Sequence, residues 1–353
     1  MKKVLVLALG LLMLSPSLGL AGVFDPTVIG VNYKGFPQSQ DEIKNDLAVL
    51  STQFTYIKTY LDLFTPQQLV VPTVAQYYPA MKVAIGLGLQ NNNDSHSFPG
   101  SYYEIDQAIA QANAYPNNVN AIVVGGEGSL GYIGVDKLVE YMTYIKGKVP
   151  STVKVTTQQV WGELLNGSGP STGGAKLAAA ADYLLADIYP YWDGTPGSDP
   201  TAAGQATLTN WKTDFTTDYG KLVTAYGAGK IGIGETGWPT AGSQSQDPGG
   251  NWTGIPSVAN QKQYSIEYSQ YASDSSQNPP FFTYLFSGID EPDKGPEAGD
   301  VQGHWGLYNA DDTAKWTVGA PPPNNVPVPG TLLLTGSGLL GLLYSARRGL
   351  DKG

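Results

Sequence analysis

Two short segments of this 353-residue chain each carry a carboxylate out of an apolar run into a glycine-rich turn. In Ile231-Gly-Ile-Gly-Glu235-Thr-Gly-Trp-Pro239 the run delivers Glu235 and then stops at Gly237 and Pro239. Ala121-Ile-Val-Val-Gly-Gly-Glu127-Gly repeats the arrangement around Glu127. Apolar runs ending in Gly and Pro read as buried strands reaching loops. An acid at such a strand exit is costly to bury unless it is partnered or functional. Two Glu at two strand exits are what glycosidic bond cleavage requires, one as acid and the other as nucleophile or base.

The elements that must position them recur along the chain. Strand-like runs at Val28–Tyr33, Phe54–Tyr60, Lys82–Leu89, Asn120–Gly125, Val153–Val160, Tyr183–Tyr189, Lys230–Glu235 and Phe281–Ser287 alternate with helix-like segments. Eight such runs without strict alternation fit parallel strands buried on both faces. The length between them fits an α/β fold of one (β/α)8 TIM barrel. Glu127 and Glu235 fall at the ends of the fourth and seventh runs, and the C-terminal ends of barrel strands face one mouth. An open doubly wound sheet is the competing fold, but no glycine-rich dinucleotide fingerprint follows the first run.

The ends read as processing segments. Residues 1–21 have a basic head, an apolar core and a small-residue cleavage site, the pattern of a secretory signal peptide. The single catalytic domain is expected over 22–317, followed by a Pro-rich linker at 318–329 and an apolar segment at 330–353 containing Arg347-Arg348. That final arrangement resembles the PEP-CTERM sorting signal, although Val328 stands where its Glu belongs. Such a signal implies a bacterial exported protein, transient membrane association and a sorting or processing peptidase. The chain has no cysteine, so an exported body of this size is held by its core alone. A net charge of −10 argues against nucleic acid as a partner. With two histidines and no cysteine, a zinc site or a Cys-His pair is excluded, and no cofactor or metal is expected.

Gly234-Glu235-Thr-Gly-Trp-Pro239 resembles the nucleophile motif of glycoside hydrolase family 17, the β-1,3-glucanases and related transglucosylases. Val123-Val-Gly-Gly-Glu127 is similar to its acid/base motif, and Ile29-Gly-Val-Asn-Tyr33 to its first strand. Asp187-Ile-Tyr-Pro-Tyr-Trp192 and Phe286-Ser-Gly-Ile-Asp-Glu-Pro-Asp-Lys294, with Gly303-His-Trp-Gly-Leu307, resemble its sixth and eighth strand loops. The resemblance implies a retaining glycosidase acting on a β-glucan polysaccharide, with Glu235 as nucleophile and Glu127 as acid/base. Tyr33 and Tyr60 are candidate donors to Glu235. Glu291 and Lys294 match a charged pair that braces the site, and Tyr189, Trp192 and Trp305 are candidate sugar platforms.

One position departs from the family. Asn normally precedes the acid/base and binds the sugar hydroxyl beside the reacting carbon, whereas this chain has Gly126. Losing one such donor costs about 2–4 kcal/mol by analogy with an oxyanion donor. Gln158 or Gln159 on the fifth run is the candidate replacement. The alternatives are a transglucosylase using the same two Glu, or a non-catalytic glucan-binding or matrix protein on this scaffold.

Overall fold

The computed structural model describes residues 24–316, except 34–38, 61–65, 90–92, 167–172, 248, 275–281 and 296. The expected signal peptide (1–21), linker (318–329) and sorting segment (330–353) therefore lie outside the described residues. Among the described residues no helix is long and apolar enough to cross a membrane.

Eight parallel strands close into a barrel: β1 (Ile29–Asn32), β2 (Tyr56–Lys58), β3 (Lys82–Leu87), β4 (Val119–Val124), β5 (Lys154–Val160), β6 (Leu184–Asp187), β7 (Ile231–Thr236) and β8 (Thr283–Leu285). Each pairs with its sequence neighbours, and β1 pairs β8 with Ile29 opposite Thr283. The expected TIM barrel is the observed fold. Between β6 and β7 the register shifts, so that Asp187 comes opposite Glu235. That shift places two carboxylates side by side on adjacent strands.

The connecting helices have local reasons to begin where they do. Ser39 caps α1 (Gln40–Leu50) by accepting from the Glu42 backbone N–H at 3.1 Å, with Glu42 three residues on as in a capping box. Asp199 caps a 27-residue helix at Pro200–Tyr226, whose Pro200 occupies the first turn. Ser257 caps the last long helix, Val258–Ser273. This ring covers the outer face of the strands, where Ile29, Val31, Ile57, Val83, Ile122 and Ile233 are buried, while Ala84, Ala121, Val123, Leu185 and Tyr284 pack together inside the barrel. One element goes beyond the expectation: the loops after β6 and β7 are joined by an antiparallel ribbon, Thr195–Pro196 with Asn251–Trp252.

β5 departs from an apolar strand and prepares the site. Thr156, Thr157, Gln158 and Gln159 are all buried. Side chains alternate between faces along a strand, so neighbouring glutamines part company. Gln158 enters the barrel and contacts Lys58, whereas Gln159 donates to the Ser129 hydroxyl at 2.8 Å.

Candidate active site

Glu235, the penultimate residue of β7, sits in a cage of donors and is 8% exposed. Its Oε1 accepts from the Tyr60 hydroxyl at 2.5 Å, the Gln158 amide at 2.9 Å and the Lys58 ammonium at 3.2 Å. Its Oε2 accepts from the Tyr189 hydroxyl at 2.9 Å. Burial by itself would raise its pKa, but the Lys58 charge and the hydrogen bonds from Tyr60, Gln158 and Tyr189 outweigh burial and hold Glu235 below the usual range. These donors come from β2, the loop after β2, β5 and the loop after β6, so only the closed barrel assembles them.

Lys58, 1% exposed, is the central cation. It donates to both Gln158 and Glu235 and lies 4.2 Å from the Tyr60 ring centroid. Burial lowers its pKa, opposed by the charges of Glu235 and Asp187. The second Gln158 N–H contact goes to Asp187 at 3.0 Å. Asp187 is raised well above the carboxylate range, first by burial and then by the Glu235 charge, with Lys58 and Gln158 opposing. The backbone must leave room for this row. A Cβ on Gly234 would come 2.7 Å from Asp187 Oδ1 and 2.8 Å from Gln158 Cδ, so glycine is required there by close approach. Asn32 on β1 clamps the same turn, donating to the Gly234 carbonyl at 3.1 Å and the Leu285 carbonyl at 3.3 Å.

Glu127 has the opposite surroundings. It follows β4 after a turn in which Gly125 takes φ 74°, a conformation suited to glycine. The residue as a whole is exposed, and among the described residues no donor or cation pairs with its carboxyl. Partial burial, then the charges of Glu235 and Glu163, raise its pKa. One carboxyl is thus held ionised and the other biased toward its protonated form, the separation that acid and nucleophile roles demand. At Gly126 an added Cβ would meet nothing within 4 Å. Neither glutamine stands free to replace the family amide: Gln158 spends its N–H groups on Asp187 and Glu235, and Gln159 turns to Ser129.

Both Glu line one cleft of about 450 Å³, with Asp187, Tyr189, Trp192 and Trp305 among its walls. Trp192 is 38% exposed and offers an open ring, while Trp305, at 3%, is packed edge-on against Tyr189 and Tyr191 at 5.3 Å. Lys294 pairs with Glu291 at 2.8 Å and lies 5.5 Å from the Tyr60 ring, beside the cage rather than on the carboxylates. Tyr33 requires correction as a donor to Glu235. It is fully buried and its hydroxyl donates to Asp46 at 2.5 Å, because its side chain leaves β1 toward α1. Lys58 was missed by sequence reasoning. Its signal was a lone cation inside the apolar run Phe54–Tyr60, which burial tolerates only with a partner.

A closed (β/α)8 barrel with a caged carboxylate and a protonation-biased one at the same strand-end mouth defines a carboxylate-pair site of the glycoside hydrolase class. Residues 29–306 match the BtgE/BtgC glycoside hydrolase domain, and the chain belongs to that family. It is 24% identical over 316 residues to a glucan 1,3-beta-glucosidase of Saccharomyces cerevisiae, covering 81% of this chain and 88% of the relative. It is 26% identical over 290 residues to a glucan 1,3-beta-glucosidase of Schizosaccharomyces pombe, covering 79% and 80%. Among solved structures the fold is similar to an endo-laminarinase from Formosa, with a TM-score of 0.64 at 19% identity over 83% of this chain and 86% of that one. It is also similar to the glycoside hydrolase family 17 beta-1,3-glucanosyltransferase from Rhizomucor miehei, with a TM-score of 0.60 at 23% identity over 84% and 99%.

Proposed function

We propose that this chain cleaves β-1,3-linked glucan by double displacement. Glu235 attacks the anomeric carbon as the glycosidic C–O bond breaks, and Glu127 gives its proton to the departing oxygen. A water then attacks the same carbon, Glu127 takes the water's proton, and the ester bond to Glu235 breaks. The observation that carries this reading is the opposite setting of the two carboxyls in one cleft, Glu235 lowered by Lys58 and three hydrogen bonds and Glu127 raised. Substrate linkage comes from the named activities of the relatives. A glucan hydroxyl replacing water in the second step turns the same residues to transfer, the activity named for the Rhizomucor miehei structure. A purely binding protein has no use for a buried carboxylate with four donors around it, which weighs against that alternative.

The test is reducing-sugar release from a soluble β-1,3-glucan by the chain and by its Glu235→Gln variant. Release that vanishes in the variant supports the reading. No release by either protein overturns it. Products longer than the substrate during the time course identify transfer.

A further inference from the structure

The barrel has a second cleft at its other end. Tyr56, Lys154 and Ile231 open β2, β5 and β7, Asn120 lies near the start of β4, and Tyr183 and Phe282 immediately precede β6 and β8. In a parallel barrel these positions share the N-terminal end, opposite the mouth that holds Glu127 and Glu235. Strands of three to seven residues at about 3.3 Å each put the two ends roughly 10–23 Å apart. Together with Thr152 these residues line a cleft of about 420 Å³, close in size to the one containing the two Glu.

Its composition does not match that of a sealed barrel floor. Tyr56, Tyr183 and Phe282 are each only half-buried, and the Tyr56 and Phe282 rings meet edge-on at 4.9 Å. Phe282 meets Tyr284 in the same way at 4.9 Å, and Tyr284 is fully buried. The Asn120 carboxamide, which lines the cleft, lies beside the Tyr284 hydroxyl behind it. Partly exposed aromatic faces backed by a few polar groups, with one cation at the rim, fit a neutral ring that is apolar on its faces and hydroxylated at its edge.

We propose that this N-terminal cleft is a second, non-catalytic site for one or two pyranose rings; the choice of β-1,3-glucan as the sugar rests on the function proposed above. Facing away from the mouth, the site serves to hold a polymer chain other than the one being cleaved, raising the local concentration of substrate.

The experiment uses the full chain carrying Glu235→Gln, which stops turnover, titrated with a β-1,3-linked glucose pentamer and read by NMR and calorimetry. Two molecules bound per chain are expected. Adding Tyr183→Ala should reduce this to one, and so should Thr152→Trp, which fills the cleft from an exposed position without removing a core ring. With Glu235 intact, both changes should leave turnover of the soluble pentamer unchanged. Each should lower release from insoluble glucan by about three-fold or more, the loss of a linked second contact. A single bound pentamer that survives both changes overturns the proposal, as does equal activity on insoluble glucan. Two bound pentamers in a chain that cleaves nothing would refute the catalytic reading and leave this one standing.

Discussion

The two carboxyls at the mouth of the barrel live in opposite regimes. Glu235 is enclosed by Lys58, Tyr60, Gln158 and Tyr189, drawn from three separate parts of the chain. Glu127 stands exposed on a glycine turn and, among the described residues, has no hydrogen-bond donor. A group that must stay ionised while buried needs partners that are themselves fixed, because burial opposes charge. A group that must keep a proton and then give it up needs the reverse: partial burial, neighbouring negative charge and freedom to move. Most of the site's structure is therefore spent on one of its two acids.

The sharpest way to break this contrast is to remove each acid in turn. Glu235→Gln should lower turnover on the order of 10⁴-fold or more with every substrate, as loss of a nucleophile does elsewhere. Glu127→Gln should cost about 10²–10⁴-fold on glucan. It should cost far less on an aryl glucoside, whose leaving group departs without a proton. Equal losses on both substrates would remove the acid role from Glu127.

Lys58→Met attacks the cage from beneath. It leaves a buried carboxylate without its cation, a change that costs about 3–5 kcal/mol in stability, to be read by denaturant titration. A carboxyl held below its unfolded value adds stability above that value and loses it as pH falls through the folded one. The stability deficit of Lys58→Met should therefore be largest near neutral pH and shrink in acid. In the surviving protein the acidic limb of the pH–rate profile should move upward, because Glu235 loses the charge that lowers it. An unmoved limb would show that the hydrogen bonds alone keep Glu235 ionised.

Tyr60→Phe removes one donor of four. A hydrogen bond to a charged group is worth about 1.5–3 kcal/mol, so the acidic limb should rise by about one to two pH units while the basic limb, set by Glu127, stays in place. Asp187→Asn tests the neutral end of the row. Because Asp187 is raised, the wild-type protein keeps its full stability from this group below the ordinary carboxylate range and loses it as pH climbs through the shifted value. The Asn variant cannot ionise, so its melting temperature should fall less toward alkaline pH. The smallest effect is expected at Gly126→Asn. An added Cβ meets nothing there, so stability should change by no more than about 0.5 kcal/mol. A gain in kcat/KM on glucan would show that the missing amide limits this enzyme.

Much of the scaffold is legible in the sequence. Eight apolar runs separated by helical stretches, with Gly and Pro at their exits, are local patterns, and they predict a barrel because parallel strands buried on both faces leave few other arrangements. Tyr60 and Tyr189 could be singled out because they sit at or just beyond strand ends. Tyr33 sits at an equally suggestive position, but nothing local reveals that Asp46 on the following helix takes its hydroxyl. Gln158 and Gln159 are indistinguishable as neighbours in sequence, and strand parity separates them only when the inward face is known.

The amino-acid sequence by itself determined the element order, the strand-exit positions of Glu127 and Glu235, and the absence of an amide before Glu127. These follow from hydrophobic periodicity and residue identity, which are properties of short stretches. Only the tertiary structure decided which acid is held below the usual carboxylate range and which is pushed above it. Closing the barrel carries Lys58 from β2 across to β5 and β7, and the register shift between β6 and β7 sets Asp187 beside Glu235. A pKa is set by distance and burial, and both exist only after strands far apart in sequence have been brought within a few ångströms.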